Sequence, residues 1–203
     1  KYADVVTQSY HPVKHITTCE GGAVLTCNAQ IDEKVRVLRA HGMTKNPERI
    51  YKNEGPWYYE MHNIGFNYRV SDLQCALGIS QLKKLNQFIF RRRNIAEQYD
   101  IAFGSDERFI IPTVSKNVSH AFHLYPLNLQ FEKMSIEKNH LFESMKKKEI
   151  CLQVHYIPIH LQPYYQKKYG FNVGDFPHAE SFYNNEISLP IYPDLSFKEC
   201  QKI

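Results

Sequence analysis

The sequence predicts an α/β protein built from two units. Short β-branched runs alternate with stretches whose apolar residues recur every three or four positions. One such stretch, Asp72 to Phe103, would reach close to 50 Å at about 1.5 Å per residue, longer than a small domain is wide and suited to connect two units. Turn chemistry at Gly104-Ser105-Asp106 then opens a run with the order β-β-α-β, the signature of a small α/β domain. The expected units are residues 1–88 and 89–203.

Composition fits such a fold and excludes several functions. The chain has 203 residues, 43% hydrophobic and 23% charged. That is enough to bury a core and is unlike disordered or collagen-like sequences. A formal charge of +4 is too weak to argue for nucleic acid. No apolar run approaches the roughly 18–20 residues of a membrane helix. The cysteines (Cys19, Cys27, Cys75, Cys151, Cys200) are odd in number and form no C-x-x-C pair. A disulfide framework and a metal site are therefore not expected, and a reducing cytoplasm is the default compartment. The chain opens at Lys1 without Met or an apolar leader, and it closes at Ile203 in what reads as a helix from Ser196. The expectation is a piece of a longer protein, with this stretch inactive by itself.

The elements follow in order. Val5-Val6 and Ala23 to Thr26 read as strands around a polar loop. Asn28 caps a helix carrying Ile31, Val35 and Leu38 on one face, and Gly42 ends it as C′. Met43 to His62 reads as a long loop, where function often sits. Ser71 with Gln74 has the form of a capping box. The helix it opens is expected to bend near Phe88 to Arg91. Strands are expected at Phe109–Ile111, Phe122–Leu129 and Cys151–Ile157, with helices at Ile136–Lys148, Tyr164–Tyr169 and Asp175–Asn185.

One segment carries chemistry. Ser9-Tyr10-His11-Pro12-Val13-Lys14, followed by Thr17-Thr18-Cys19-Glu20-Gly21-Gly22, puts a lysine between two strands, with hydroxyls on both sides and a glycine turn after it. A partly desolvated lysine can form a Schiff base with an aldehyde, and hydroxyls with backbone N–H groups can hold a phosphate. On these residues alone, an exposed loop lysine is the favoured reading of Lys14.

The segment resembles the lysine motif of the DegT/StrS family of sugar aminotransferases, which depend on pyridoxal 5′-phosphate. Two further blocks stand in the family's order: Gly65-Phe66-Asn67-Tyr68-Arg69 through Ala76-Leu77-Gly78, and Gln153-Val154-His155-Tyr156-Ile157-Pro158. Departures are mild: Tyr10 where Phe is usual, and Cys19 where a small residue is common. The resemblance spans nearly the whole chain. Within the family it is strongest to members that aminate C4 of a UDP-linked 4-keto-6-deoxy-N-acetylhexosamine in pseudaminic acid biosynthesis.

The resemblance implies the aspartate-aminotransferase-like fold (PLP fold type I). This chain would hold the C-terminal part of the large cofactor domain plus the small C-terminal α/β domain. It implies glutamate as amino donor, a nucleotide-linked keto sugar as acceptor, and a homodimer with shared sites. Lys14 would bear the cofactor and move the proton. Ser9 would hydrogen-bond the cofactor phosphate, against a strand-end cap as the plainer role. Asn67 would reach the neighbouring subunit's phosphate, or serve as a turn residue. Arg69 would support the site or sit exposed at a helix start. His155 and Tyr156 would contact the nucleotide sugar, or form a strand pair facing opposite ways. The Arg91-Arg92-Arg93 and Lys146-Lys147-Lys148 runs are expected on solvated helix faces. The alternative reading of the chain is a non-catalytic domain that acts only by association.

Overall fold

The computed structural model describes residues 3–203, and the chain divides into two compact units, Lys1–Leu85 and Asn86–Ile203.

In the first unit, β1 (Val5–Ser9) and β2 (Gly22–Thr26) pair antiparallel, from Val5 opposite Thr26 to Ser9 opposite Gly22. β-branched residues favour this pleated backbone. Helix α1 (Ala29–Leu38) starts at Asn28, whose side-chain oxygen accepts the Gln30 and Ile31 amides at 2.9 and 3.3 Å. Its end differs from expectation. Arg39 caps the helix, so Gly42 lies beyond the C′ position. Gly42 holds a φ of +72° and donates its N–H to the Val37 carbonyl at 3.0 Å, a conformation glycine tolerates without strain. The stretch 43–62 contains a short ladder, β3 (Met43–Thr44) against β4 (Glu60–Met61). Strands this short leave no alternating pattern in a sequence. Helix α2 (Asp72–Leu82) opens on the complete Ser71–Gln74 capping box.

The long helical stretch breaks at Lys83–Lys84 rather than at Phe88–Arg91. The Lys84 amide bonds three residues back, to the Gln81 carbonyl at 2.9 Å, and this tightening ends α2. Helix α3 then runs over Leu85–Phe103. The arginine run on α3 is a solvated face only in part: Arg93 is exposed, Arg91 is half-buried and Arg92 is buried. Arg92 is only 5% exposed, and its Nη1 donates to the carbonyls of Phe122, His123 and Ile191 at 3.1, 3.2 and 2.8 Å. Arg91 reaches the carbonyls of Pro193 and Leu195, and Arg93 that of His120. Irregular chain leaves carbonyls without ladder partners, and guanidinium supplies several donors in a fixed fork.

In the second unit, β5 (Phe109–Ile110), β6 (Tyr125–Leu129) and β7 (Glu186–Leu189) form a three-stranded antiparallel sheet in that order. β6 starts after Phe122 because that residue sits at φ +46°, outside the strand region. β7 alternates polar and apolar residues, but over only four positions directly after α6, and all four are buried. The strand expected at Cys151–Ile157 is absent; an isolated bridge joins Gln153 to Ser188. The His155 amide, which a ladder would use, donates to the Glu186 carboxylate instead, at 3.0 Å. Helices α4 (Lys138–Lys147), α5 (Pro163–Tyr169), α6 (Pro177–Asn185) and α7 (Phe197–Cys200) complete the unit. α7 is shorter than the expected helix from Ser196 to Ile203.

The core joins α3 to the sheet. Ile95, Ala96 and Tyr99 lie on one helix face, and Tyr125, Leu127, Leu129, Ile187 and Leu189 come from β6 and β7. Each large side chain buried there contributes about 1.5–3 kcal/mol. The rings of Tyr99 and Tyr125 meet at 5.0 Å and 60°. Their hydroxyls donate to the Pro190 carbonyl at 2.7 Å and to Asp100 at 2.6 Å. Burial pushes both phenols well above the usual tyrosine range. Among the described residues, no helix is long and apolar enough to cross a membrane.

Candidate active site

The loop between β1 and β2 holds Lys14 in a tied turn. The Tyr10 amide donates to the Gly21 carbonyl at 2.9 Å, extending the strand pairing by a step. The Tyr10 carbonyl then accepts both the Thr18 amide and the Thr17 hydroxyl at 3.0 Å. The Lys14 amide closes a turn onto the His11 carbonyl at 3.0 Å. Cys19 takes φ +68°, which explains why a small residue suits that position. Lys14 is half-buried, and no hydrogen bond or ion pair among the described residues holds its ammonium. Ser9 is exposed at the end of β1, and its Oγ accepts only a long contact from the His11 amide, 3.4 Å. Its hydroxyl hydrogen is thus left to serve another group.

The second motif block packs against this loop. Gln74 on α2 donates its Nε2 hydrogen to the Glu20 carbonyl at 2.7 Å. Thr18 is buried and faces Gly78 of α2, where a Cβ would lie 2.9 Å from the Thr18 methyl. Asn67 belongs to an extended segment that pairs with residues 38–42. The Phe66 amide donates to Leu38, the His41 amide to Phe66 and the Tyr68 amide to Arg39, at 2.7 to 2.9 Å. Gly65 is demanded by this close approach, because a Cβ there would sit 2.2 Å from the Gly42 nitrogen. The Phe66 and Tyr68 rings stack at 4.8 Å on one side. Alternation along an extended chain sends the exposed Asn67 side chain to the other. Arg69 is exposed. Asn67 makes no side-chain hydrogen bond to Lys14 or Ser9 among the described residues.

Glu60 organises the neighbouring loop. Its carboxylate accepts the Tyr51 and Lys52 amides, the Tyr58 hydroxyl and His62 Nε2, the last at 2.7 Å. Burial alone pushes this carboxyl up. The donors, led by His62, outweigh burial and hold it at about 2.

His155 and Tyr156 lie in the second unit, on the irregular segment beside β7. They are not the strand pair of the plainer reading. His155 Nδ1 is 2.7 Å from Ser188 Oγ, and its amide is bonded to Glu186. The Tyr156 ring meets the His155 ring edge-on at 4.6 Å and is 70% exposed. Glu186 and Ser188 are not among the residues the sequence singles out. A glutamate and a serine two apart, alternating with Ile187 and Leu189, are the signal they leave, and it needs the sheet to be read.

The structure therefore keeps Ser9 and Lys14 in one tied loop and joins that loop to the second motif block through Thr18, Glu20, Gln74 and Gly78. The chemistry of the donor set in the loop fits a ligand carrying both an aldehyde and a phosphate. A primary amine without an ionic partner can condense with the first, and a spare hydroxyl can hold the second.

One relative and two solved structures give this geometry a context. The transaminase of UDP-4-amino-4,6-dideoxy-N-acetyl-beta-L-altrosamine from Helicobacter pylori is 39% identical over 197 residues, 96% of this chain and 49% of that protein. The structure of Helicobacter pylori PseC, an aminotransferase of pseudoaminic acid biosynthesis, superposes with a TM-score of 0.87 at 33% identity, over 99% of this chain and 51% of that one. The putative sugar aminotransferase Spr1654 of Streptococcus pneumoniae, in its PLP form, gives 0.85 at 28% identity, over 99% of this chain and 50% of that one. The chain spans about half the length of the curated relatives it matches. The pattern of the DegT/DnrJ/EryC1/StrS aminotransferase family matches residues 1–203, and with the tied lysine loop and the fold in agreement, this chain belongs to that family.

Proposed function

We propose that the protein transfers an amino group, from glutamate, to the C4 keto group of a nucleotide-linked 4-keto-6-deoxy sugar, using pyridoxal 5′-phosphate. The product would be a building block of surface polysaccharide or glycan sugars. The observation that carries this reading is Lys14, a half-buried amine without an ionic partner among the described residues, fixed in a hydrogen-bonded turn.

When bound, the cofactor supplies an aldehyde that condenses with amines and a ring that takes up an electron pair. The chain's own residues do the rest. Lys14 Nζ anchors the cofactor, and as a neutral amine it takes the proton from the donor's Cα. Ser9 donates its hydroxyl hydrogen to the cofactor phosphate. Asn67 donates its amide to the phosphate held by a second subunit, so the active species is a homodimer with shared sites. His155 and Tyr156 hold the nucleotide sugar and orient its keto carbon. Residues 1–88 are assigned to the cofactor domain and 89–203 to the smaller domain. The free cysteines and the nucleotide-linked substrate suit the cytoplasm.

The test is an assay of the full-length protein with glutamate and a panel of UDP-, TDP- and GDP-linked 4-keto sugars. Formation of 2-oxoglutarate that depends on one keto sugar, and is lost in Lys14→Ala, supports the reading. Turnover that persists in Lys14→Ala overturns it.

A further inference from the structure

We propose that Glu186, acting through Ser188, holds the neutral His155 ring with its proton on Nδ1. Nε2 is thereby presented as a hydrogen-bond acceptor to a hydroxyl or amide N–H of the nucleotide sugar. The inference deepens the substrate-binding role proposed for His155 and rests on it.

The argument is a count of hydrogens. Glu186 and Ser188 stand two apart on β7, so they share a face of the sheet. Glu186 is fully buried. One of its oxygens accepts the Ser188 hydroxyl, and the other accepts the His155 amide at 3.0 Å. The Lys138 ammonium is near enough for the Glu186 charge to act on it, which helps to balance the buried carboxylate. A carboxylate has no hydrogen to give, and a serine hydroxyl has one. The Ser188 hydrogen therefore lies toward Glu186. Only a lone pair of Ser188 Oγ faces His155 Nδ1, 2.7 Å away. A contact of that length needs a hydrogen, and the imidazole must supply it. In the neutral ring the second nitrogen is then bare. No hydrogen bond among the described residues reaches Nε2, which leaves it for a ligand. Glu186 is thus a positioning residue: it binds the His155 backbone directly and the ring through Ser188. A bare Nε2 selects for a donor on the substrate and against a keto or ether oxygen at that point.

The experiment is nitrogen-15 NMR of the histidine rings in the full-length protein at about pH 8, above the ordinary histidine range. The His155 signals are assigned by their loss in His155→Gln. The expected result is the Nδ1–H tautomer in the wild type. In Glu186→Gln the amide oxygen keeps the His155 backbone bond, and the amide NH2 donates to Ser188. The Ser188 hydrogen then turns toward His155, and the tautomer changes to Nε2–H. KM for the keto sugar rises about tenfold in this variant with kcat changed less than about twofold, the loss of about one substrate hydrogen bond. Ser188→Ala removes the fixed acceptor and lowers the Nδ1–H fraction; it serves as the second arm should Glu186→Gln fail to fold. An Nε2–H tautomer in the wild type, or an Nδ1–H tautomer unchanged in both variants, overturns the proposal. Tautomers as expected, with KM unaltered in His155→Gln, instead overturn the substrate-binding role of His155.

Discussion

The Thr18 methyl lies against the Cα of Gly78 so closely that a Cβ on that glycine would come within 2.9 Å of it. Thr18 sits on the Lys14 loop and Gly78 inside α2, so this contact sets how near the two can approach. Gly→Ala in a helix interior normally stabilises by about 1 kcal/mol. Here Thr18 is buried with its hydroxyl held to the Glu20 carbonyl at 2.7 Å, and overpacking costs about 1–3 kcal/mol. Gly78→Ala is expected to lower stability, and Thr18→Ser, which removes the methyl, to restore it. A denaturant-unfolding double-mutant cycle should show coupling of about 1 kcal/mol or more. Additive effects would mean that the contact is not limiting.

Lys14 is expected to be the labelled residue when the full-length protein, loaded with pyridoxal phosphate, is reduced with borohydride. Peptide mapping reads the result. Lys14→Arg should abolish transamination, because guanidinium stays protonated and serves neither as nucleophile nor as base. A label on another lysine contradicts the assignment.

Asn67 is tested across subunits. Asn67→Ala should weaken cofactor affinity about tenfold to a hundredfold, the effect of losing a hydrogen bond to a charged group at about 1.5–3 kcal/mol. With Asn67 acting in trans as proposed, mixing Lys14→Ala subunits with Asn67→Ala subunits places both lesions in one site and leaves the other intact. Activity should partly return. If heterodimers form and nothing returns, Asn67 does not act in trans.

Glu60 sets an acid limit for the loop it organises. Its carboxyl is held at about 2, against an ordinary value of 4.5. A depressed carboxyl stabilises the fold above its unfolded pKa, and the contribution is lost as pH falls through the folded one. The loop should therefore loosen as pH drops from about 4.5 toward 2. The fluorescence of Trp57, the one tryptophan in the sequence, reports it. Glu60→Gln should remove the pH dependence in this window; an unchanged acid profile would rule out Glu60 as its source.

Arg92 should prove costly to remove. Arg92→Met leaves three carbonyls without their donor, with an expected loss of about 2–4 kcal/mol in urea unfolding of the protein. Arg92→Lys should recover only part, since an ammonium cannot reproduce the guanidinium fork. A loss within about 0.5 kcal/mol, the range of ordinary surface changes, would mean that the clamp is not needed.

The parts of this protein that are local in sequence were legible in it. Asn28 and Ser71 announce their helices because a cap is read within a few residues, and the lysine segment is legible because its residues are contiguous. What was not legible depends on distant partners. Gly42 looks like a helix end, yet its conformation serves a close approach to residues 63–65. The break at Lys83–Lys84 carries no glycine or proline to mark it. The arginine run reads as a charged face until the carbonyls of residues 122, 123 and 191 are brought beside it. β7 and the pair Glu186–Ser188 are hidden most completely, because the alternation there is only four residues long and its polar members, which a sequence places on a solvent face, are buried. His155 was visible, and what holds it was not.

The segment that carries His155 and Tyr156 leans on the outer edge of β7 through an isolated bridge at Gln153, and the three-stranded sheet is closed without it. Side chains at Val154, Tyr156 and Ile157 can change without shifting the register of any strand. Beyond that bridge, His155 is tethered, by its amide and ring, to a carboxylate and a hydroxyl on β7. Such a layout separates what must be inherited from what is free to drift. Under the substrate-binding role proposed for this stretch, a lineage can retailor its choice of sugar there, one residue at a time, while the sheet beneath it keeps folding as before.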